Sequence, residues 1–151
     1  MLYFIVVLII VLDQVTKFAA VKYLKGKGPY IIIENFFQLC YVENLGAAFG
    51  ILQNKKIFFV IVTSIVIICI VFFLVKNSHN INQLLKIGLV MLLGGAIGNL
   101  IDRIRLGYVV DFISFKLGKG YDFPVFNIAD IFIVSGTFLV MSLILLNKYE
   151  N

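Results

Sequence analysis

Long apolar runs alternate with polar stretches along this chain. The clearest run, 57–75, is 19 residues long and contains no charged side chain. About 20 apolar residues in a helix cross the 30 Å hydrocarbon core of a bilayer. We therefore predict a membrane-spanning helix at about 57–75.

Three further runs are long enough to span a bilayer but contain isolated polar residues. The first, about 2–24, includes Asp13; its apolar character resumes beyond that residue and no basic leader precedes it, so we interpret it as a retained helix rather than a signal peptide. The run at about 84–104 contains Lys86 and Asn99, and the run at about 128–147 begins with Asp130. The pattern predicts four transmembrane helices.

Two long connections, about 25–54 and 106–127, are separated along the chain by a short one at about 76–83. Successive spans cross in opposite directions, so both long connections emerge on one face. The stretch 29–43 is rich in β-branched and aromatic residues, which favours short strands. We predict an all-α integral membrane protein, one domain over residues 1–151, with a small β-sheet cradle at the membrane surface.

Composition narrows the class of protein. Hydrophobic residues make up 62% of the 151 and charged residues 14%, and a water-soluble fold of this size has too little interior to bury so much apolar surface. The net charge of +5 is spread over single and paired basic residues, so we predict no nucleic-acid partner. His79 has no cysteine or carboxylate at ligand spacing, and we predict no metal site and no cofactor.

Polar residues in the runs at about 2–24 and about 84–104 lie on common helix faces. Asp13 and Lys17 are four residues apart, which fits an intrahelical ion pair as well as the support of a site. Asn99, Asp102 and Arg103 also share a face. The guanidinium of Arg103 suits a buried carboxylate or carbonyl, although an arginine at this depth also fits snorkelling to the interface.

Two further acids, Asp111 and Asp130, lie at the edges of apolar spans. A charge at the bilayer centre costs about 2.5 to 3.5 kcal/mol on insertion scales, so such an acid needs a partner or a function. Two carboxyl groups that share one proton can act as base and acid on a water molecule. The sequence does not distinguish which aspartate is the base.

Five blocks of residues follow one another along the chain: DQVTK at 13–17, NLGAAFG at 44–50, GGAIGNLIDR at 94–103, VVDF at 109–112 and FPVFNIAD at 123–130. Taken in this order, they resemble the motifs of the bacterial lipoprotein signal peptidases, also called signal peptidase II. The resemblance extends over the whole chain, and five blocks in the right order are more specific than any one alone.

This resemblance implies an intramembrane aspartyl endopeptidase of the bacterial cytoplasmic (inner) membrane, with no metal or cofactor. Such enzymes remove the signal peptide from prolipoproteins, cleaving before a cysteine that carries diacylglycerol. It further implies contact with membrane lipid and inhibition by globomycin-type cyclic peptides, and we expect a monomer. By motif position the catalytic residues are Asp111 and Asp130, the substrate-binding residues are Asn44, Asn99, Arg103 and Asn127, and the supporting polar residues are Asp13, Lys17 and Asp102. The side chains of Asn99, Arg103 and Asn127 can donate hydrogen bonds either to the substrate backbone or to the two acids.

The orientation that the resemblance implies conflicts with the distribution of basic residues. Nine basic residues lie near the face with the long connections and three near the opposite face, which by the positive-inside rule puts the termini outside. The resemblance instead implies cytoplasmic termini, extracytoplasmic segments at about 25–54 and 106–127, and a site near the outer leaflet. We follow the resemblance, because the substrate presents its cleavage point at the outer surface.

Other classes of membrane protein fit the pattern less well. A small transporter or channel subunit, the main alternative, predicts polar residues along the whole depth of a span, whereas here they cluster toward one face. An intramembrane serine protease requires a paired serine and histidine. His79 is predicted on the side of the membrane opposite to the clustered polar residues. A presenilin-like aspartyl protease requires Gly-x-Gly-Asp, which is absent.

Overall fold

The computed structural model describes residues 2–46, 53–77, 79–117 and 123–148. Within these ranges, four helices are long and apolar enough to cross a membrane, which confirms the predicted number of spans. The helices are α1 (Leu2–Leu24), α2 (Lys56–Lys76), α3 (Gln83–Arg105) and α4 (Ile128–Leu145). The strands are β1 (Tyr30–Ile33), β2 (Phe37–Asn44) and β3 (Val109–Phe115).

In the described part of the chain the strands form one antiparallel sheet in the order β1-β2-β3. A tight turn joins β1 to β2, and Asn35 lies there with φ of 57°, a conformation that asparagine tolerates better than most residues. Strand β2 then pairs with β3, which places Val42 opposite Asp111 and Asn44 opposite Val109. The predicted small sheet is confirmed, and its strands join the two long connections on one face of the molecule.

Strand β3 is the element that the sequence pattern did not predict. Four consecutive residues from Val109 to Phe112 are buried, so the strand lacks the alternation of apolar and polar positions that identifies a half-exposed strand. Its partner in the sheet lies more than 60 residues earlier in the chain. The carboxylate of Asp111 therefore projects from a rigid, buried strand rather than from a loop that follows a helix.

Helix α3 is central and contacts the other three helices. Its glycines explain how closely they approach: a Cβ at Gly94 would lie 2.9 Å from Ile9 of α1, and one at Gly95 would lie 2.5 Å from the carbonyl oxygen of Ala129 in α4. Both separations are too short for a side chain. The Gly94-x-x-x-Gly98 spacing thus serves close helix packing, as predicted.

Helix α2 is peripheral. None of its residues is buried, and it packs mainly against α3, for example with Ile70 and Leu74 near Val90 and Leu93. A helix that is apolar all round yet unburied within its own chain is suited to a lipid environment. The chemistry-bearing residues therefore lie on the other helices and on the sheet.

Candidate active site

Asp111 on β3 is almost completely buried, and both of its carboxylate oxygens accept hydrogen bonds. Asn127 Nδ2 donates to Oδ1 at 2.6 Å, and Asn44 Nδ2 donates to Oδ2 at 2.9 Å. Burial in the first place, and the neighbouring charge of Asp130 in the second, raise the pKa of Asp111 to about 7. This carboxyl group can therefore hold a proton near neutral pH.

Asp130 lies in the first turn of α4, and both of its carboxylate oxygens are also bound. Asn99 Nδ2 donates to Oδ1 at 2.8 Å, and the backbone N–H of Asn127 donates to Oδ2 at 3.2 Å. In return, the Asp130 backbone N–H donates to Asn127 Oδ1 at 3.0 Å, completing a capping box. The helix N-terminus favours a negative charge at this position.

The two carboxyl groups line the same cavity, which has a volume of about 850 Å³. Its walls come from β2, β3, α3 and α4, and they combine the polar residues with apolar side chains such as Ile131 and Val134 of α4. A space of this size accommodates a short peptide segment. The arrangement can present two carboxyl groups to a peptide bond and a water molecule in one place.

Behind the cavity, Lys17 joins two buried acids. Its Nζ lies 2.9 Å from Asp13 Oδ2 and 3.0 Å from Asp102 Oδ2, and all three side chains are at most 4% exposed. The intrahelical pair that the sequence suggested is present, but it extends to a third residue on another helix. A buried charge cluster of this kind is held by its partners, because removing one leaves another uncompensated.

The same cluster holds the two segments that carry Asp111 and Asp130. Asp102 Oδ2 accepts a hydrogen bond of 3.1 Å from the backbone N–H of Val110, next to Asp111. Asp13 Oδ1 accepts one of 3.0 Å from the backbone N–H of Ala129, next to Asp130. These contacts fix strand β3 and the start of α4 relative to α1 and α3.

Arg103 also lines the cavity, but its contacts are with residues other than the two acids and the Lys17 cluster. Its guanidinium lies 5.0 Å from the ring centre of Phe59 on α2 and donates to the carbonyl oxygen of Gly46 at 3.4 Å. The Gly46 N–H donates to Asn44 Oδ1 at 3.0 Å, which directs the Asn44 amino group toward Asp111. Of the block at 44–50, residues 47–50 lie outside the described residues.

The structure brings all nine residues singled out in the sequence into one connected region, and it adds two that were missed. Gln14 Nε2 lies 3.0 to 3.2 Å from Asp102 Oδ1, Asp13 Oδ2 and the Gly98 carbonyl oxygen. Gln14 could have been identified from the sequence, because it lies three residues before Lys17 within the first block. Phe59 gave no signal, since it is one of many aromatic residues in an apolar run.

Comparison with known proteins gives the same family by sequence and by structure. The family model for signal peptidase II matches residues 5–146. The lipoprotein signal peptidase of Caldanaerobacter subterraneus subsp. tengcongensis is 53% identical over 137 residues, 90% of each chain, and that of Clostridium tetani is 46% identical over 93% of this chain and 90% of the relative.

Two solved structures of bacterial membrane enzymes, at 2.3 and 1.9 Å resolution, are each 38% identical to this chain, with TM-scores of 0.85 and 0.84. The alignments cover 97% and 95% of this chain and 87% and 92% of the solved chains. Neither comparison supports the transporter alternative. The chain belongs to the signal peptidase II family, the membrane-embedded aspartic peptidases that cleave the signal peptides of lipoproteins.

Proposed function

We propose that Asp111 and Asp130 are the catalytic pair of this lipoprotein signal peptidase. The observation that carries the proposal is that both carboxyl groups line one cavity, each held on both oxygens by hydrogen-bond donors. Groups held in this way need little reorganisation when they react.

The two carboxyl groups share one proton, which resides on Asp111. Deep burial and the charge of Asp130 raise the pKa of Asp111 to about 7, so at neutral pH it is the better proton holder. The N-terminus of α4 stabilises a negative charge, so we assign the carboxylate of the pair to Asp130. In this assignment Asp130 is the general base and Asp111 is the general acid.

Hydrolysis then needs no covalent intermediate. Asp130 removes a proton from water as the water oxygen bonds to the peptide carbonyl carbon, and Asp111 gives its proton to the carbonyl oxygen. The tetrahedral intermediate collapses with cleavage of the C–N bond: Asp130 gives its proton to the leaving nitrogen, and Asp111 takes one from a hydroxyl group of the intermediate. The products are a carboxylic acid and an amine, and the pair again holds its single proton on Asp111.

We assign substrate binding to Asn44, Asn99 and Arg103, which line the cavity beside the carboxyl groups. Asn127, which the motif also assigned to substrate, is completely buried and donates to Asp111, so we assign it to holding the pair. Asp13, Lys17 and Asp102 support these residues from behind. The substrate is a prolipoprotein cleaved before a diacylglyceryl cysteine, and the apolar wall near Ile131 and Val134 suits its acyl chains or adjoining membrane lipid.

The enzyme is proposed to act as a monomer in the bacterial inner membrane, with residues 1–151 forming one domain. Both termini are cytoplasmic, the segments 25–54 and 106–127 are extracytoplasmic, and the cavity lies near the outer leaflet. This orientation suits a substrate whose cleavage point is at the outer surface. Protection of a C-terminal tag from protease added outside intact cells supports it, and digestion of the tag contradicts it.

The decisive experiment compares the purified enzyme on a diacylglyceryl-modified precursor and on the same precursor without lipid. Cleavage of the lipidated precursor alone, blocked by a globomycin-type cyclic peptide, is expected. Asp111→Asn and Asp130→Asn should each lower kcat by at least about 100-fold while the protein stays in the membrane. Substantial cleavage by either variant contradicts the assignment of the pair, and equal cleavage of both precursors contradicts the substrate.

A further inference from the structure

Lys17 does more than neutralise its acidic neighbours, because it also donates to a residue that holds the catalytic pair. Its Nζ lies 2.8 Å from Asn99 Oδ1. A lysine ammonium has three protons to donate and accepts nothing. Two of its directions are taken by Asp13 and Asp102, and the third points at Asn99.

This contact determines which end of the Asn99 amide faces Asp130. With Oδ1 directed at the ammonium, the amino group lies 2.8 Å from Asp130 Oδ1 and donates to it. The reversed amide would set its amino group against the Lys17 ammonium and its oxygen against the Asp130 carboxylate. Both contacts would then be repulsive, donor against donor and acceptor against acceptor.

Asn127 contributes less than Lys17 to this orientation of Asn99. Its Nδ2 lies 3.2 Å from Asn99 Oδ1, but the same amino group is within 3.4 Å of the Val110 carbonyl oxygen and 2.6 Å of Asp111 Oδ1. The contact from Lys17 is shorter and carries a full charge, and charge-assisted hydrogen bonds are about twice as strong as neutral ones.

We propose that Lys17 is a positioning residue for the reaction, which acts through Asn99: it keeps the Asn99 amino group on Asp130 Oδ1 and so fixes the orientation of the Asp130 carboxylate in the cavity. The inference rests on the proposed function, since it assumes that Asp130 reacts. A positioning role for Lys17 and a purely structural ion cluster lead to different expected effects of mutation. A structural cluster affects how much folded enzyme exists, whereas a positioning residue affects the turnover of each folded molecule.

A double-mutant cycle tests this distinction. Lys17→Met, Asn99→Ala and the double variant are purified in detergent, and kcat and KM are measured on the lipidated precursor per folded molecule. Each single variant is expected to lower kcat by about 10- to 100-fold. Lys17→Met should change KM by less than about threefold, because Lys17 does not line the cavity. Because both act on one contact, the double variant should lie within about threefold of the slower single variant.

Lys22→Met is the matched control, since Lys22 is an exposed lysine on the same helix, and its kcat should stay within about twofold of the unchanged enzyme. The inference is overturned if folded Lys17→Met turns over at the unchanged rate, or if the losses in the double variant multiply. Asp111→Asn and Asp130→Asn separate the two proposals: activity in either removes the catalytic pair, and with it this inference, whereas inactivity in both with an active Lys17→Met removes only the inference.

Loss of Lys17 leaves two buried carboxylates unpaired, so the cycle has a second form for the case that Lys17→Met does not fold. In an Asp13→Asn background, adding Lys17→Met leaves Asp102 as the charged member, so the cluster keeps the net single negative charge of the native set. The same non-additivity with Asn99→Ala is expected in that background, and multiplied losses overturn the inference there too.

Discussion

Asn127 and Asp130 bind one another through two reciprocal hydrogen bonds, backbone N–H to side chain in each direction, at the start of α4. The Asn127 amino group, which this cap leaves free, donates to Asp111 on β3. One asparagine thus begins the fourth helix and joins the two candidate catalytic acids.

Replacing Asn127 separates its capping role from its contact with Asp111. Serine is a good helix cap but is too short to reach Asp111, so Asn127→Ser should keep most of the stability and lose most of the cleavage activity. Asn127→Ala should lose the same activity and about 1 kcal/mol of stability in addition. Thermal unfolding in detergent, measured beside kcat, checks both. A fully active serine variant would show that the contact with Asp111 is dispensable.

The pH dependence of cleavage should report the proton on Asp111. Because burial raises its pKa to about 7, the singly protonated pair is lost as the pH rises through 7, and kcat/KM should fall by about tenfold per pH unit above it. The hydrogen bond from Asn44 stabilises the ionised form and so lowers this pKa. Asn44→Ala should therefore move the alkaline limb to higher pH.

A control for the pH shift comes from the same sheet. Gln38 on β2 donates to Ser114 on β3 and not to Asp111, so Gln38→Ala should leave the alkaline limb where it was. A limb that moves to lower pH in Asn44→Ala, or moves equally in both variants, contradicts the assignment.

A methyl group at Gly95 should disrupt the site through packing alone. Its Cβ would lie 2.5 Å from the backbone oxygen of Ala129, which cannot move without shifting the helix that carries Asp130. Gly95→Ala should cost about 1 to 3 kcal/mol and lower kcat. At Gly28 a Cβ would meet no atom within 4 Å, so Gly28→Ala should change neither quantity; an unchanged melting temperature for Gly95→Ala would refute the packing argument.

Phe59 should matter for substrate binding because it positions Arg103. A guanidinium over a ring is stabilised by about 0.5 to 2 kcal/mol, and Phe59→Leu should raise KM for the lipidated precursor by roughly 2- to 20-fold, whereas Phe59→Trp should preserve it. The Lys76 ammonium lies over the ring of Phe72 at the end of the same helix, and Phe72→Leu serves as the control. Equal KM values for the leucine variants at 59 and 72 would contradict this role.

The helices and their close packing follow from local sequence. The uncharged run at 57–75, the four-residue spacing of Asp13 and Lys17, and the glycines of α3 each specify local geometry, and the structure agrees with what they predicted. The apolar run, the ion-pair spacing and the glycine spacing can each be recognised within a few helical turns of sequence, although the helices that contact the glycines cannot.

The partners of the carboxyl groups depend on distant packing and were not predictable in the same way. Asn44 was assigned to substrate, but in the structure it donates to Asp111, 67 residues away. Asn99 was expected to donate to the substrate or to the acids, and in the structure it donates to Asp130, 31 residues away. Such pairs form only when the sheet and α3 have packed. In the sequence, these two asparagines were singled out because they lie in motifs that resemble those of the family.

The cap at Asn127 makes the candidate site depend on the insertion of α4. Helix α4 follows the other three described helices in the chain, and before it inserts, Asp111 lacks its shortest donor and Asp13 lacks the backbone N–H of Ala129. A nascent chain with only α1 to α3 in the bilayer would therefore hold these carboxyl groups without two of their donors. On the proposed assignment of Asp111 and Asp130, such a chain has no working pair of acids until α4 has joined it.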